Sequence, residues 1–325
     1  MASATRTISS AAGGPCRPHE RLALNSPDVY AARRTGKPSR DRTHLYLAST
    51  TVCPWRVFEF GANAHRFHTY RSQRPDQHLI PSIQSGGFIM NTSQKVVVVT
   101  GASQGIGAEL VKAFRKLDYR VVATARSVSP SDDPNIVTIA GDIADPATAR
   151  RVISEGVARF GRIDTLVNNA GIFIAKPFTN YTAEDFAAMT GVNVGGFFYI
   201  TQLAIAEMEK NASGHVVNIT TSLTDHAVDG IPSVLASLTK GGLNAATKSL
   251  AIEYSKKGIR ANAVSPGIIK SPMHPQETHA TLDAMHPMGH MGEMSDIVNA
   301  VLYLDAAPFV TGEILHVDGG QSAGH

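Results

Sequence analysis

Four consecutive valines, Val96, Val97, Val98 and Val99, run straight into Thr100-Gly101-Ala102-Ser103-Gln104-Gly105-Ile106-Gly107, and Glu109-Leu110-Val111-Lys112-Ala113-Phe114 then takes up helical spacing. A branched apolar run this short reads as a strand buried on both faces, as in a parallel sheet. The same grammar continues downstream. Apolar runs predict strands at 119–124, 135–140, 164–167, 214–219, 260–264 and 314–317. Between them, apolar spacing predicts helices at 145–160, 183–189, 195–210, 234–254 and 296–304. Asp145-Pro146 opens the first of these with a capping side chain and a proline at the first helical position. Strands alternating with helices imply one parallel, doubly wound α/β sheet, a Rossmann fold, in a single domain spanning 90–325.

Residues 1–89 break the pattern, with no sustained period of 2 or 3.6. They hold twelve Lys/Arg against five Asp/Glu, a charge of about +7 in a chain whose net charge is +3, so the remainder is about −4. Both cysteines (Cys16, Cys53) and Trp55 lie there, and the body has no thiol chemistry available. Three readings compete for this stretch: an Arg-rich transit peptide, a basic tail for nucleic acid or membrane, or a disordered leader or upstream extension foreign to the mature protein. The last is favoured, because Met90 is a natural start just before the first strand. No apolar run approaches the roughly 20 residues that span a bilayer, and aromatics do not interleave with the leader's arginines. Neither a membrane nor a nucleic-acid partner is therefore expected, and a cytoplasmic location is.

The glycines sit between strand and helix, the context in which such a motif carries meaning. Gly101 permits the tight turn, Gly105 leaves no side chain between backbone and ligand, and Gly107 brings helix close to strand. The helix N-terminus then faces a pyrophosphate. The spacing Thr100-Gly101-x-x-x-Gly105-x-Gly107 resembles the short-chain dehydrogenase/reductase family, and the resemblance extends from about Lys95 to Gly320.

A dinucleotide fold marks its cofactor about 20 residues past the glycines, with an acid for the NAD ribose or a basic residue for the NADP phosphate. The corresponding place reads Ala123-Thr124-Ala125-Arg126-Ser127. Arg126, without a carboxylate beside it, favours NADP, with NAD possible. By resemblance, Ser103, Gln104 and Ile106 join the three glycines at the cofactor, Asp142 and Ile143 meet the adenine, and Asn169, Ala170 and Gly171 form a turn against it. The same resemblance assigns Pro266, Gly267, Ile269 and Ser271 to a loop that holds the nicotinamide carboxamide.

Members of the resembled family transfer hydride between nicotinamide and a carbonyl or alcohol, using Asn, Ser, Tyr and Lys. Asn193 and Lys240 match two of these, Thr221 or Ser222 matches the hydroxyl, and Lys240 also holds cofactor. Counting back four residues from Lys240 reaches Ala236, and no tyrosine occurs from 220 to 240. His226, Asp229 and Ser233 stand nearby as substitutes, His226 foremost, because imidazole suits proton transfer near neutrality. The expectation is an NADP-preferring oxidoreductase with an altered proton donor, acting on a small to medium carbonyl or alcohol. The alternative is a cofactor-binding relative with little turnover. The resemblance also implies a homo-oligomer, a dimer or tetramer built from the long helices. His274, His279, His286 and His290, with Met285, Met288 and Met291, invite a metal reading, but their spacing fits none. The segment is expected instead to form a lid with a methionine-rich wall.

Overall fold

The computed structural model of the protein describes residues 94–324; the stretch 1–89, with every reading made of it, lies outside the described residues. In chain order the strands are β1 (Val96–Thr100), β2 (Arg120–Ala125), β3 (Ile136–Ala140), β4 (Thr165–Asn168), β5 (Gly214–Ile219), β6 (Ile259–Pro266), β7 (Ile269–Lys270), β8 (Gly292–Glu293) and β9 (Ile314–Val317). The helices are α1 (Gly105–Lys116), α2 (Pro146–Phe160), α3 (Ala183–Met189), α4 (Gly196–Lys210), α5 (Val234–Tyr254), α6 (His279–Asp283) and α7 (Met294–Ala306).

Seven strands form one parallel sheet in the order β3-β2-β1-β4-β5-β6-β9. The valine run becomes its centre because both faces are covered. Val96 and Val98 pack with Ile153 of α2 and Ile200 and Met208 of α4. Val97 and Val99 pack with Leu110 and Phe114 of α1 and Ile297 and Leu304 of α7. Each strand residue thus alternates between two apolar layers, so a run of valines is stable where a polar alternation would bury charge. The order reverses between β1 and β4. Doubly wound sheets bind ligands in the crevice at such a point.

Local signals hold where capping chemistry is strong. Asp145 accepts a hydrogen bond from the Ala147 amide at 2.8 Å, Pro146 opens α2, and Gly161 closes it at φ 83°.

The pattern places both helical stretches, 183–189 and 195–210, but not what joins them: α3 passes through a π turn at Thr190–Gly195 directly into α4. Glycines weaken a helix without forcing it to stop, and no proline intervenes. Gly196 has its own reason: a Cβ there would lie 2.8 Å from Ile143 Cγ2. The two-residue strands β7 and β8, which pair in parallel, and the five-residue α6 are too short for periodicity to reveal. No helix among the described residues is long and apolar enough to cross a membrane.

Candidate active site

A cavity of about 930 Å³ opens at the carboxyl ends of the strands, over the point where the sheet order reverses. One wall is the glycine turn. Gly101 takes φ 65°, and a Cβ on it would stand 2.9 Å from Ala170 Cα. Gly107 is tighter still, since a Cβ there would reach 2.2 Å from the Gly101 carbonyl oxygen. Gly107 therefore works from behind, holding α1 against β1, and does not line the cavity. Ser103, Gln104, Gly105 and Ile106 do line it. Gln104 gives α1 no side-chain cap, and no acid occupies the first turn. The first-turn amides have no intrahelical acceptor and face the cavity as a partial positive charge, which suits a phosphate.

The turn after β4 locks onto this one. Thr100 Oγ1 accepts from the amides of Asn169 (3.0 Å) and Ala170 (2.9 Å), and Asn169 Nδ2 donates to the carbonyls of Thr100 (2.9 Å) and Gly101 (3.2 Å). Beneath it, Asn168 Nδ2 donates to Thr201 Oγ1 and Asn218 Oδ1, and Asn218 donates to Thr247 Oγ1. This buried amide–hydroxyl chain ties α4, β4, β5 and α5 at one level, and every member has a partner, as buried polar groups require. The paired asparagines thus have separate duties, one below the sheet's end and one on it.

Arg126 and Asp142 stand at the ends of β2 and β3, exposed and on the cavity rim, with Ile143 buried beside them. Asp142 accepts from the Ala144 amide at 3.0 Å.

At the other end α5 presents Ala236 and Lys240 to the cavity, one helical turn apart. Lys240 Nζ donates to the Ile219 carbonyl at 2.6 Å, and a Cβ on Gly171 would come within 2.9 Å of it. Burial lowers the ammonium to a pKa of about 8. Thr221 and Ser222 both line the cavity, but their hydroxyls differ. Ser222 Oγ is buried and donates to Gln321 Oε1 at 2.9 Å, whereas Thr221 Oγ1 accepts from the Leu223 amide at 3.4 Å, which leaves its proton free to donate. Asn193, inside the π turn, does not reach the cavity. It accepts from the Ile172 amide (2.9 Å) and donates to the Ile172 carbonyl (3.1 Å) and Thr239 Oγ1 (3.2 Å). It holds the Ile172 backbone, the neighbour of Gly171, from behind the cavity wall. The substitutes His226, Asp229 and Ser233 are not among the lining residues, although Gly230, Ile231 and Pro232 of the same loop are. Ala236 is buried among Met189 and Leu235, and no tyrosine is among the lining residues.

The remaining wall is the segment after β6. Pro266, Gly267, Ile269 and Ser271 line it as expected, joined by Met273, His274, Leu282 and Met285. Its histidines pin the segment to itself. His286 accepts from the Ile268 amide at Nε2 (3.0 Å) and donates from Nδ1 to the Leu282 carbonyl (3.0 Å), while His279 donates to the His274 carbonyl (3.0 Å) and His290 to the Met291 carbonyl (2.9 Å). Sequence reasoning missed Gln321, buried near the C-terminus, which accepts from Ser222 and donates to the Met285 carbonyl at 3.1 Å. A glutamine among Gly319, Gly320 and Ser322 carries no periodic signal.

The comparisons with known proteins fit this geometry. The family described as enoyl-(acyl carrier protein) reductase matches residues 101–322. The L-fucose dehydrogenase of Bos taurus is 34% identical, over 71% of this chain and 90% of that protein. Among solved structures, ElxO with NADP bound is 32% identical with a TM-score of 0.66, covering 71% of this chain and all of that one. The 3-ketoacyl-(acyl-carrier-protein) reductase of Brucella melitensis, complexed with NADH, is 29% identical with a TM-score of 0.65, covering 70% of this chain and 98% of its own. The chain belongs to the short-chain dehydrogenase/reductase family of oxidoreductases.

Proposed function

We propose that the protein transfers hydride between NADP(H) and a small to medium carbonyl or alcohol, with a proton donor other than the family's tyrosine. One observation carries the reading: a single cavity joins an uncapped glycine turn, Arg126 at one end, and Lys240 with Thr221 at the other. The bound nicotinamide supplies the hydride. The chain supplies binding, orientation and charge. The α1 amides hold the pyrophosphate, Arg126 pairs with the 2′-phosphate, and Asp142 with Ile143 receives the adenine. Ala170 and Gly171 flank the cofactor from the β4 side. The loop of Pro266, Gly267, Ile269 and Ser271 holds the carboxamide.

Lys240 keeps a positive charge at neutral pH, because its pKa of about 8 still lies above it. That charge stabilises negative charge growing on a substrate oxygen. Of the two hydroxyls, Thr221 polarises the carbonyl, since the Ser222 proton is committed to Gln321. Asn193 acts through Ile172, keeping Gly171 beside Lys240. Apolar side chains left exposed on α4 and α5, Phe198, Leu238 and Ile252, support assembly of copies through those helices.

A panel of carbonyls and alcohols followed by NADPH absorbance, beside titrations of NADPH and NADH, tests the reading. Turnover with at least one carbonyl and tighter binding of NADPH are expected. Tight NADPH binding with no turnover across the panel overturns the enzymatic reading.

A further inference from the structure

We propose that His274 is the proton donor of this site, an inference that rests on the hydride-transfer reading above. Four side chains that can carry charge line the cavity: Arg126, Asp142, Lys240 and His274. The first two stand at the ends of β2 and β3, three to four strand positions from β5, and Arg does not give up its proton in proteins. Lys240 and His274 remain, lining the same cavity as Ala236 and Thr221. The Lys240 ammonium is turned to the Ile219 carbonyl and packed against Gly171. His274 comes from the segment after β6, with Met273, Leu282 and Met285, whose apolar side chains line the same cavity.

The rest of His274 is anchored. Its amide donates to the Ser271 carbonyl at 2.9 Å, and its carbonyl accepts from His279 Nε2 at 3.0 Å. Its Nδ1 meets the Ile269 carbonyl at 2.9 Å. A carbonyl only accepts, so Nδ1 carries a proton in either charge state, and Nε2 is the atom that gains and loses one. Among the described residues Nε2 has no hydrogen-bond partner. A ring with every other polar atom fixed and one titrating nitrogen left over is arranged as a general acid.

The step balances. A C–H bond forms as the carbonyl carbon takes hydride from the reduced nicotinamide, and the C=O π pair moves to oxygen beside Thr221 and Lys240. An O–H bond forms as that oxygen takes the Nε2 proton of imidazolium. The products are the alcohol, the oxidised cofactor and neutral His274, which recovers its proton from water. Charged groups on the surrounding elements have other commitments: Lys270 pairs with Glu293 across β7 and β8 at 2.9 Å, and Asp283 of α6 accepts from the Met291 amide at 2.7 Å. His279 already spends Nε2 on the His274 carbonyl, and Lys240 lines the same cavity from α5.

The test compares the full-length protein with His274→Gln, using the best carbonyl from the panel. The expected result is a wild-type kcat that falls as pH rises through the imidazole titration. The variant is expected to lose about a hundredfold in kcat at pH 6 and that pH limb with it, while NADPH affinity by fluorescence stays within about twofold. Independently of activity, nitrogen-15 NMR of the wild type with NADPH bound should show His274 protonated at Nδ1 at alkaline pH. A turning-over wild type whose variant keeps its rate and pH limb overturns the assignment and leaves the hydride-transfer reading standing. So does the Nε2–H tautomer, or a loss confined to NADPH affinity. A wild type that reduces no carbonyl overturns both.

Discussion

At the scale of single residues, the site divides into groups that touch ligand and groups that hold them. On the proposed reading Arg126 belongs to the first kind: it lines the cavity just past the end of β2, the place where a dinucleotide fold receives the NADP ribose phosphate. Arg126→Ala should weaken NADPH binding by roughly tenfold, the scale of one lost charge-assisted contact, and leave NADH binding nearly unchanged. Cofactor fluorescence titrations measure this directly, and equal weakening of both would reduce Arg126 to a surface residue. Ala236 offers the complementary experiment, since it occupies the helical turn before Lys240 on the same face. A tyrosine there adds a ring beside Met189 and Leu235, and overpacking against them would cost roughly 1–3 kcal/mol. In a folded Ala236→Tyr, His274→Gln double variant, part of the rate lost in the single His274 variant should return, read as kcat with the same carbonyl. No recovery in a folded protein would mean that a phenol at this position does not reach the substrate oxygen.

At the scale of elements, legibility followed the range of the forces involved. The valine strand, the glycine turn and the Asp145-Pro146 cap are local chemistry and are plain in the sequence. Arg126, Lys240 and the turn after β4 were findable because each sits at a fixed offset from an element of that kind. The π turn was not. Asn193 was assigned to the site by resemblance, yet what it does depends on Ile172, on a loop 21 residues away, and on Thr239 of α5. Gln321 was missed for the same reason: its bonds to Ser222 and Met285 join partners brought together only by the fold. The π turn has a measurable consequence. Asn193→Ala removes three bonds and leaves the Ile172 amide and carbonyl unpaired inside the protein. The loss should destabilise the fold by roughly 1–3 kcal/mol in urea unfolding, and should raise the KM for cofactor by loosening Gly171. A variant with wild-type stability and a lowered kcat alone would make Asn193 a substrate contact instead.

At the scale of the whole molecule, the two ends of the sheet are built for opposite purposes. The carboxyl end keeps a cavity and titrating groups, whereas the amino end buries a closed polar network. There Asp305 accepts from Tyr119 Oη (2.6 Å) and Thr165 Oγ1 (2.8 Å) and faces His215 Nδ1 at 3.3 Å. His215 Nε2 faces Asn262 Nδ2 at 3.0 Å and the Arg260 guanidinium at 3.4 Å. Two donors at Nε2 mean that it accepts, so the proton sits on Nδ1 and the ring is neutral. Burial depresses the His215 pKa, against the pull of Asp305. Burial would raise Asp305, but the bonds from His215, Tyr119 and Thr165 outweigh it and hold the carboxyl at about 2. Both groups are depressed on folding, so in both cases the unfolded chain takes up protons first as the solution turns acid. The histidine contribution is intact above about pH 6.5 and is lost below it. The aspartate contribution is lost from about pH 3.9 downward through the folded value of about 2. Stability should therefore begin to fall at mildly acid pH with a slope approaching 1.4 kcal/mol per pH unit from His215, roughly one proton's worth. Urea midpoints from pH 8 to pH 4.5 would show it. His215→Gln should be less stable at pH 8, where the network has lost a partner, but nearly flat between pH 7 and pH 5. If the variant keeps the wild-type slope there, other histidines carry the acid sensitivity, and the amino end of the sheet does not set the molecule's pH limit.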